Sequence, residues 1–114
     1  MEEKNIRNIF YYKNYYLDFF NTLDPEVKKK FNWTLKLLTR VDRVPVKYFK
    51  YIESSTGLFE IRVEYGSNIY RVFSFLDKGQ LIILINGFQK KTRKTPKKEI
   101  DKAENLKKQY YDEK

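Results

Sequence analysis

The stretch from 58 to 87, LFEIRVEY, GSN, IYRVFSFL, DKG and QLIILING in succession, constrains the fold more than any other. In its first run Phe59, Ile61, Val63 and Tyr65 alternate with Glu60, Arg62 and Glu64, the two-residue period of a strand. GSN and DKG are tight-turn signals, so strands over 58–65, 69–76 and 80–87 are expected to form an antiparallel meander. The last strand carries Leu81, Ile82, Ile83, Leu84 and Ile85 without a polar break. Such a run is expected to be buried on both faces.

The flanking segments change period. RNIFYYK (7–13), aromatic and β-branched, reads as a first strand. Tyr16, Phe19, Phe20 and Leu23 fall at helical spacing within 14–23. A second helix is expected to start at Asp24 as N-cap with Pro25 first inside it. Its inner face would be Val27, Phe31, Leu35 and Leu38, with Trp33 and Leu37 beside it, and the two helices would form an aromatic hairpin belonging to the core. Residues 41–57 read as connection, with a helical turn expected around Lys47 to Ile52. Thr95 as N-cap and Pro96 as first helical residue would open a last helix with the stripe Ile100, Ala103, Leu106 and Tyr110. The expected order is strand, helix, helix, three strands, helix: an α+β fold with helices on an antiparallel sheet, forming one domain over 1–114.

Charge narrows the function. Lys and Arg number 24 against 15 Asp and Glu, a net charge of +9 that points to a polyanionic partner. With no cysteine and no histidine, a zinc site and histidine acid–base chemistry are not expected, and neither is any cofactor. No apolar run approaches the ~18 residues of a membrane helix. Acidic residues stand where an export signal would carry basic ones, so a cytoplasmic location is expected.

Two arginines interrupt the meander. Arg62 shares a row with Glu60 and Glu64, whereas Arg71 shares one with Ile69, Phe73 and Phe75. An arginine in an apolar row requires an acidic partner, an anionic ligand or an open edge. A four-residue turn would set Arg62 directly opposite Arg71, and a three-residue turn would displace them by one. Facing arginines suit a phosphate between them; internal ion pairs with Glu60 or Glu64 are the structural alternative. The last strand then runs into NGFQKKTRKTPKKEI (86–100), whose cations are Lys90, Lys91, Arg93, Lys94, Lys97 and Lys98. Six cations near a helix N-terminus oppose its dipole, so helix stability does not account for them. Together with Lys47 and Lys50, and with Tyr48 and Phe49 at the border, they outline a cationic surface edged by rings, suited to single-stranded RNA.

Three segments in this order, GLFEIRVEYGSNIYRVFSF, LINGFQKKTRKTPKKEI and DKAENLKKQYY, resemble the phage-derived Gp49-like or HigB-like toxins of the RelE/ParE superfamily, and LDPEVKKKF fits that family's second helix. The resemblance spans about residues 5 to 112 and is most specific in the GF, KK and KTP element. It implies a RelE-like fold and the toxin of a type II toxin–antitoxin system, neutralised by a helix-turn-helix antitoxin encoded nearby. It also implies ribosome-dependent cleavage of mRNA without a metal. By position, Arg71 corresponds to the arginine at the scissile phosphate, Arg62 lies near the family's strand-two basic residue, and Lys90 near the one after the last strand. The catalytic tyrosine of RelE-type toxins has no counterpart in TRKTPKKEI. A gyrase-directed toxin of the ParE type, or a phage accessory protein that binds RNA or protein without chemistry, are the alternatives.

Cleavage by a 2′-OH needs a base, an acid and cations around the phosphorane. Arginine remains protonated and serves charge rather than proton transfer. Lys90 or Lys91, beside Arg93 and Lys94, is expected to move a proton, because neighbouring cations make a lysine easier to deprotonate. Glu60 would act as base or orient Arg62. Lys47, Lys50, Arg93, Lys94 and Lys97 are expected to contact RNA. Replacing Arg71 by alanine is expected to abolish activity and leave the fold intact.

Overall fold

The computed structural model of the protein describes residues 5–90 and 95–114, and the backbone alone at Lys90. The elements are β1 (Asn8–Tyr11), α1 (Tyr15–Phe20), α2 (Pro25–Arg40), β2 (Phe49–Tyr51), β3 (Leu58–Tyr65), β4 (Asn68–Asp77), β5 (Leu81–Lys90) and α3 (Lys97–Asp112). Among the described residues five strands form one sheet in the order β1-β5-β4-β3-β2. The architecture is α+β, with the expected meander at its centre. Among the described residues no helix is long and apolar enough to cross a membrane.

The structure corrects four local expectations. The sheet is mixed, because β1 lies parallel to β5, with Asn8 opposite Leu81 and Tyr11 opposite Leu84. The first strand is also shorter than 7–13. Arg7 turns away to donate to the carbonyls of Leu38, Val41 and Asp42 (3.1, 2.8 and 2.6 Å), some of them otherwise unpaired at the end of α2. At the other end the chain bends at Lys13, where φ is 53°. The helical turn expected over 47–52 is instead the strand β2, antiparallel to β3. A turn at Pro45, whose carbonyl accepts from Tyr48 and Phe49 (2.9 and 3.3 Å), delivers this short segment to the edge of β3. There Phe49 stacks on Phe59 at 4.7 Å, a contact that an isolated helical turn cannot match. Finally, α3 begins at Lys97 rather than Pro96, because the Thr95 hydroxyl faces Arg71 (3.5 Å) instead of capping the helix.

The run in β5 is buried on both faces, as its composition requires. Ile82 and Leu84 join Phe31, Leu35 and Leu38 under α1 and α2, while Ile83 and Ile85 join Ile100, Ala103 and Leu106 under α3. Past Leu84 the pairing slips: Ser74 lies opposite Leu84 but Val72 lies opposite Gly87. Ile85 and Asn86 therefore oppose Phe73 together, forming a β-bulge. The bulge turns Gly87 toward α1, where a Cβ would stand 2.4 Å from the Phe19 ring. Only a glycine admits that ring at its observed position.

Helix α3 is fastened at its far end. Tyr110 and Lys114 donate to Asp77 (2.6 and 2.7 Å), and Tyr12 and Lys13 donate to Glu113 (2.7 and 3.1 Å). The Lys114 and then the Tyr110 hydrogen bonds hold Asp77 below the usual carboxylate range, and Tyr12 and then Lys13 do the same for Glu113. Burial, then the bond to Asp77, pushes Tyr110 up to about 12.

Two outcomes are expected. Carboxylates depressed in the folded state stabilise it above their unfolded pKa, about 4, and lose that contribution as pH falls through the folded value. Raised Tyr110 contributes below pH ~10 and is lost as pH climbs toward about 12. Urea midpoints should therefore be flat between these limits, and Asp77→Asn with Glu113→Gln should shallow the acid limb; an unchanged acid limb refutes the assignment. Separately, an alanine within a strand normally gains about 0.5–1 kcal/mol over glycine. Gly87→Ala should instead lose about 1–3 kcal/mol through overpacking against Phe19, read as a lower melting temperature.

Candidate nucleic-acid interface

The β3–β4 hairpin decides the arginine geometry. It closes through Gly66 and Ser67 with Tyr65 opposite Asn68, and Gly66 takes the positive φ (61°) that such a two-residue connection needs. Of the two registers open to the sequence, this selects the one with Arg62 directly opposite Arg71. Residues so paired share one sheet face, with Cα atoms about 4.5–5.5 Å apart. Glu60, opposite Phe73, stands on that face too, as does Lys50, opposite Glu60 across β2. On the β5 side the neighbour of Arg71 is Phe88, whose ring lies 5.4 Å from that of Phe73.

Arg71 does have the partner that an apolar row demands. Its Nη1 donates to Glu60 Oε1, and both residues are buried, at 5% and 4% exposure. Arg62 is paired as well, with Glu64 at 3.3 Å, and its side chain is half-buried rather than enclosed like that of Arg71. Internal ion pairing is thus the arrangement adopted here, and it leaves polar atoms unused. Glu60 Oε2, Arg71 Nε and Arg62 Nε are buried without a hydrogen-bond partner among the described residues. Asn86, aimed by the bulge, donates to Glu99 of α3 (3.3 Å) and keeps Oδ1 unpaired. Buried polar atoms are usually paired, so such a concentration on one face points to a polar occupant. Guanidinium groups beside a carboxylate can hold a developing negative charge and accept a proton at adjacent positions.

The remaining sequence-predicted residues fall in four places. Lys90 ends β5 opposite Ile69, two positions beyond the Phe88–Arg71 pair. Lys91, Arg93 and Lys94 lie outside the described residues. Lys97 is exposed at the start of α3, 3.5 Å from Asp101. Lys47 sits over the Tyr48 ring at 4.9 Å and lines, with Arg62 but not Arg71, a groove on the α2 side of the sheet. Sequence reading missed Phe88, which the β4–β5 register brings beside Arg71, and the Thr95 contact, which comes from the segment leading into α3. Trp33, expected beside the core face, is 53% exposed and meets Tyr48 edge-on. Helical spacing did hint at this, since Trp33 falls off the Val27–Leu38 stripe.

Residues 18–108, from within α1 to within α3, match the family described as phage-derived protein Gp49-like. No curated protein matches the sequence.

The buried pair alters what removal of Arg71 should do. Arg71→Ala strands a buried carboxylate and Glu60→Ala a buried guanidinium, each expected to cost about 3–5 kcal/mol. The double variant Glu60→Leu/Arg71→Met should recover most of the loss, as measured by urea unfolding. Single variants with parental midpoints would mean that the pair does not hold Arg71.

Proposed function

The chain belongs to the Gp49-like phage-derived protein family, which is the HigB/RelE-like toxin family, and from that premise we propose that it is the toxin of a type II toxin–antitoxin pair that cuts mRNA on the ribosome. The observation that carries the reading is the facing pair Arg62–Arg71, one half-buried and one buried and locked to Glu60. Facing cations repel, so their pairing on one sheet face has a physical rationale if a phosphate lies against them.

In this proposal Arg62, the more open arginine, meets the scissile phosphate, and Arg71 beside it takes up charge on the phosphorane. Glu60 holds Arg71 through Oε1. Its Oε2, without a partner among the described residues, is the acceptor for the 2′-OH proton. As that oxygen attacks phosphorus, the bond to the leaving 5′-oxygen breaks, and Lys90 or Lys91 supplies the proton that the 5′-oxygen takes. The products are a 2′,3′-cyclic phosphate and a 5′-hydroxyl. Lys50 and Lys97 contact flanking phosphates. No metal is required for these steps, and the ribosome supplies in-line alignment, which lowers the barrier substantially. A helix-turn-helix antitoxin encoded nearby neutralises the toxin.

Induction in a bacterial host should arrest growth, and co-expression of the adjacent antitoxin should relieve the arrest. Arg62→Ala, which removes a half-buried side chain whose partner Glu64 is exposed, should fold and should slow cleavage by about 10²–10³. Mapping of mRNA ends after induction should reveal codon-phased cuts in translated messages. DNA breaks with intact messages would replace this reading by a gyrase-directed one.

A further inference from the structure

On the other side of the sheet from the Arg71–Glu60 pair lies a second feature that the cleavage chemistry does not use. Between α2 and the edge of β3 runs an open groove of about 640 Å³, within the size range of small-ligand clefts, roughly 300–1,000 Å³. Its walls include Trp33 and Tyr48, with ring centroids 5.4 Å apart at 70°. Thr34 and Val63, both buried, line its base. Trp33 is the protein's only tryptophan, and more than half of it is open to water. Four cations line the groove (Lys29, Lys30, Lys47 and Arg62) against two carboxylates, Glu26 and Glu64. Both carboxylates are already engaged, Glu26 with Lys29 and Glu64 with Arg62, so the excess charge is positive.

We propose that this groove binds an unpaired nucleotide of single-stranded RNA, its base against Trp33 and its phosphates against Lys29 and Lys47. A flat exposed ring among cations matches both halves of a nucleotide, and stacking is available only to a base outside a duplex. A protein strand added to the edge of β3 is the rival occupant. Among the described residues that edge is open beyond Arg62, whose N–H donates to the carbonyl of Tyr48, the residue before β2 (2.9 Å). Yet Lys30 closes it by donating to the Glu64 carbonyl (2.7 Å), and a lysine on an edge disfavours strand addition. Arg62 is common to the groove and to the arginine pair, so one strand rounding the sheet edge touches both. The inference rests on the reading that the protein handles RNA but does not require that it cuts.

The lone tryptophan makes the test direct. The intact protein is titrated with a 2′-O-methyl dodecaribonucleotide of mixed sequence, which cannot be cleaved, and Trp33 fluorescence is followed. Quenching is expected. Trp33→Ala should weaken binding about ten-fold or more by anisotropy, whereas Trp33→Phe should retain most of it. Lys47→Ala should lower the slope of log affinity against log salt by about 0.7, the contribution of one single-strand phosphate. Circular dichroism confirms folding, which an exposed position should not disturb. Binding without quenching and with Trp33→Ala unaffected overturns the proposal, as does quenching by the purified antitoxin alone, which would make the groove a protein interface. Failure of mRNA cleavage in the same preparation, with quenching intact, would count against the cleavage reading only.

Discussion

Everything in the fold answers to β5. Ile82, Ile83, Leu84 and Ile85 follow one another at 0% exposure, and alternate side chains of a strand point to opposite faces. Burying each of them is worth about 1.5–3 kcal/mol. Neither face can therefore be left wet. Helices α1 and α2 close one side and α3 the other, while β1 and β4 occupy both edges of the strand. The bulge at Ile85 and Asn86 ends this symmetrical burial and begins the polar part of the strand. Beyond it the chain gives up Gly87 to the Phe19 ring and brings Phe88 beside Arg71.

The polar site occupies what the apolar layers leave uncovered. Arg71 stands in a row with Ile69, Phe73 and Phe75, where a lone guanidinium would be costly, and Glu60 on the neighbouring strand offsets that cost. A buried ion pair is nevertheless a weak source of stability, since well-packed apolar residues often do as well or better. Its presence, with unused polar atoms on both partners, fits the cleavage proposed for this face better than it fits a purely stabilising role. Placing β3 and β4 in antiparallel register is enough to assemble it, because one hairpin carries Glu60, Arg62 and Arg71 together.

Legibility in the sequence followed the range of the interactions. The meander, the amphipathic face of α2 and the two-sided burial of β5 are written in local periodicity, and each appears where the pattern puts it. The need for a partner to Arg71 was equally plain from its apolar row, although Glu60 became that partner only through the hairpin register. By contrast, β2 is three residues long and exists because β3 offers it an edge, so its own sequence resembles a helical turn. The parallel pairing of β1 joins segments about seventy residues apart, and nothing in RNIFYYK encodes direction. Thr95 had the credentials of an N-cap, but its hydroxyl faces the Arg71 guanidinium and makes no cap bond to the helix it precedes. Trp33 was grouped with the core for the same reason: the edge that creates its groove is a tertiary feature.

The parallel contact between β1 and β5 has a consequence for how the molecule is made. β1 precedes every other strand and β5 follows every other strand, yet the two lie side by side. During synthesis the first strand, α1 and α2 leave the ribosome well before the surface they cover. The strand that unites the sheet emerges last, and α3 after it. Contacts so distant along the chain close late and at a high entropic cost. Glu60, Arg62 and Arg71 precede β5 in the chain, but the sheet that supports them is incomplete until β5 arrives. A protein built in this order cannot complete that surface until β5 has been made, however early its arginines emerge.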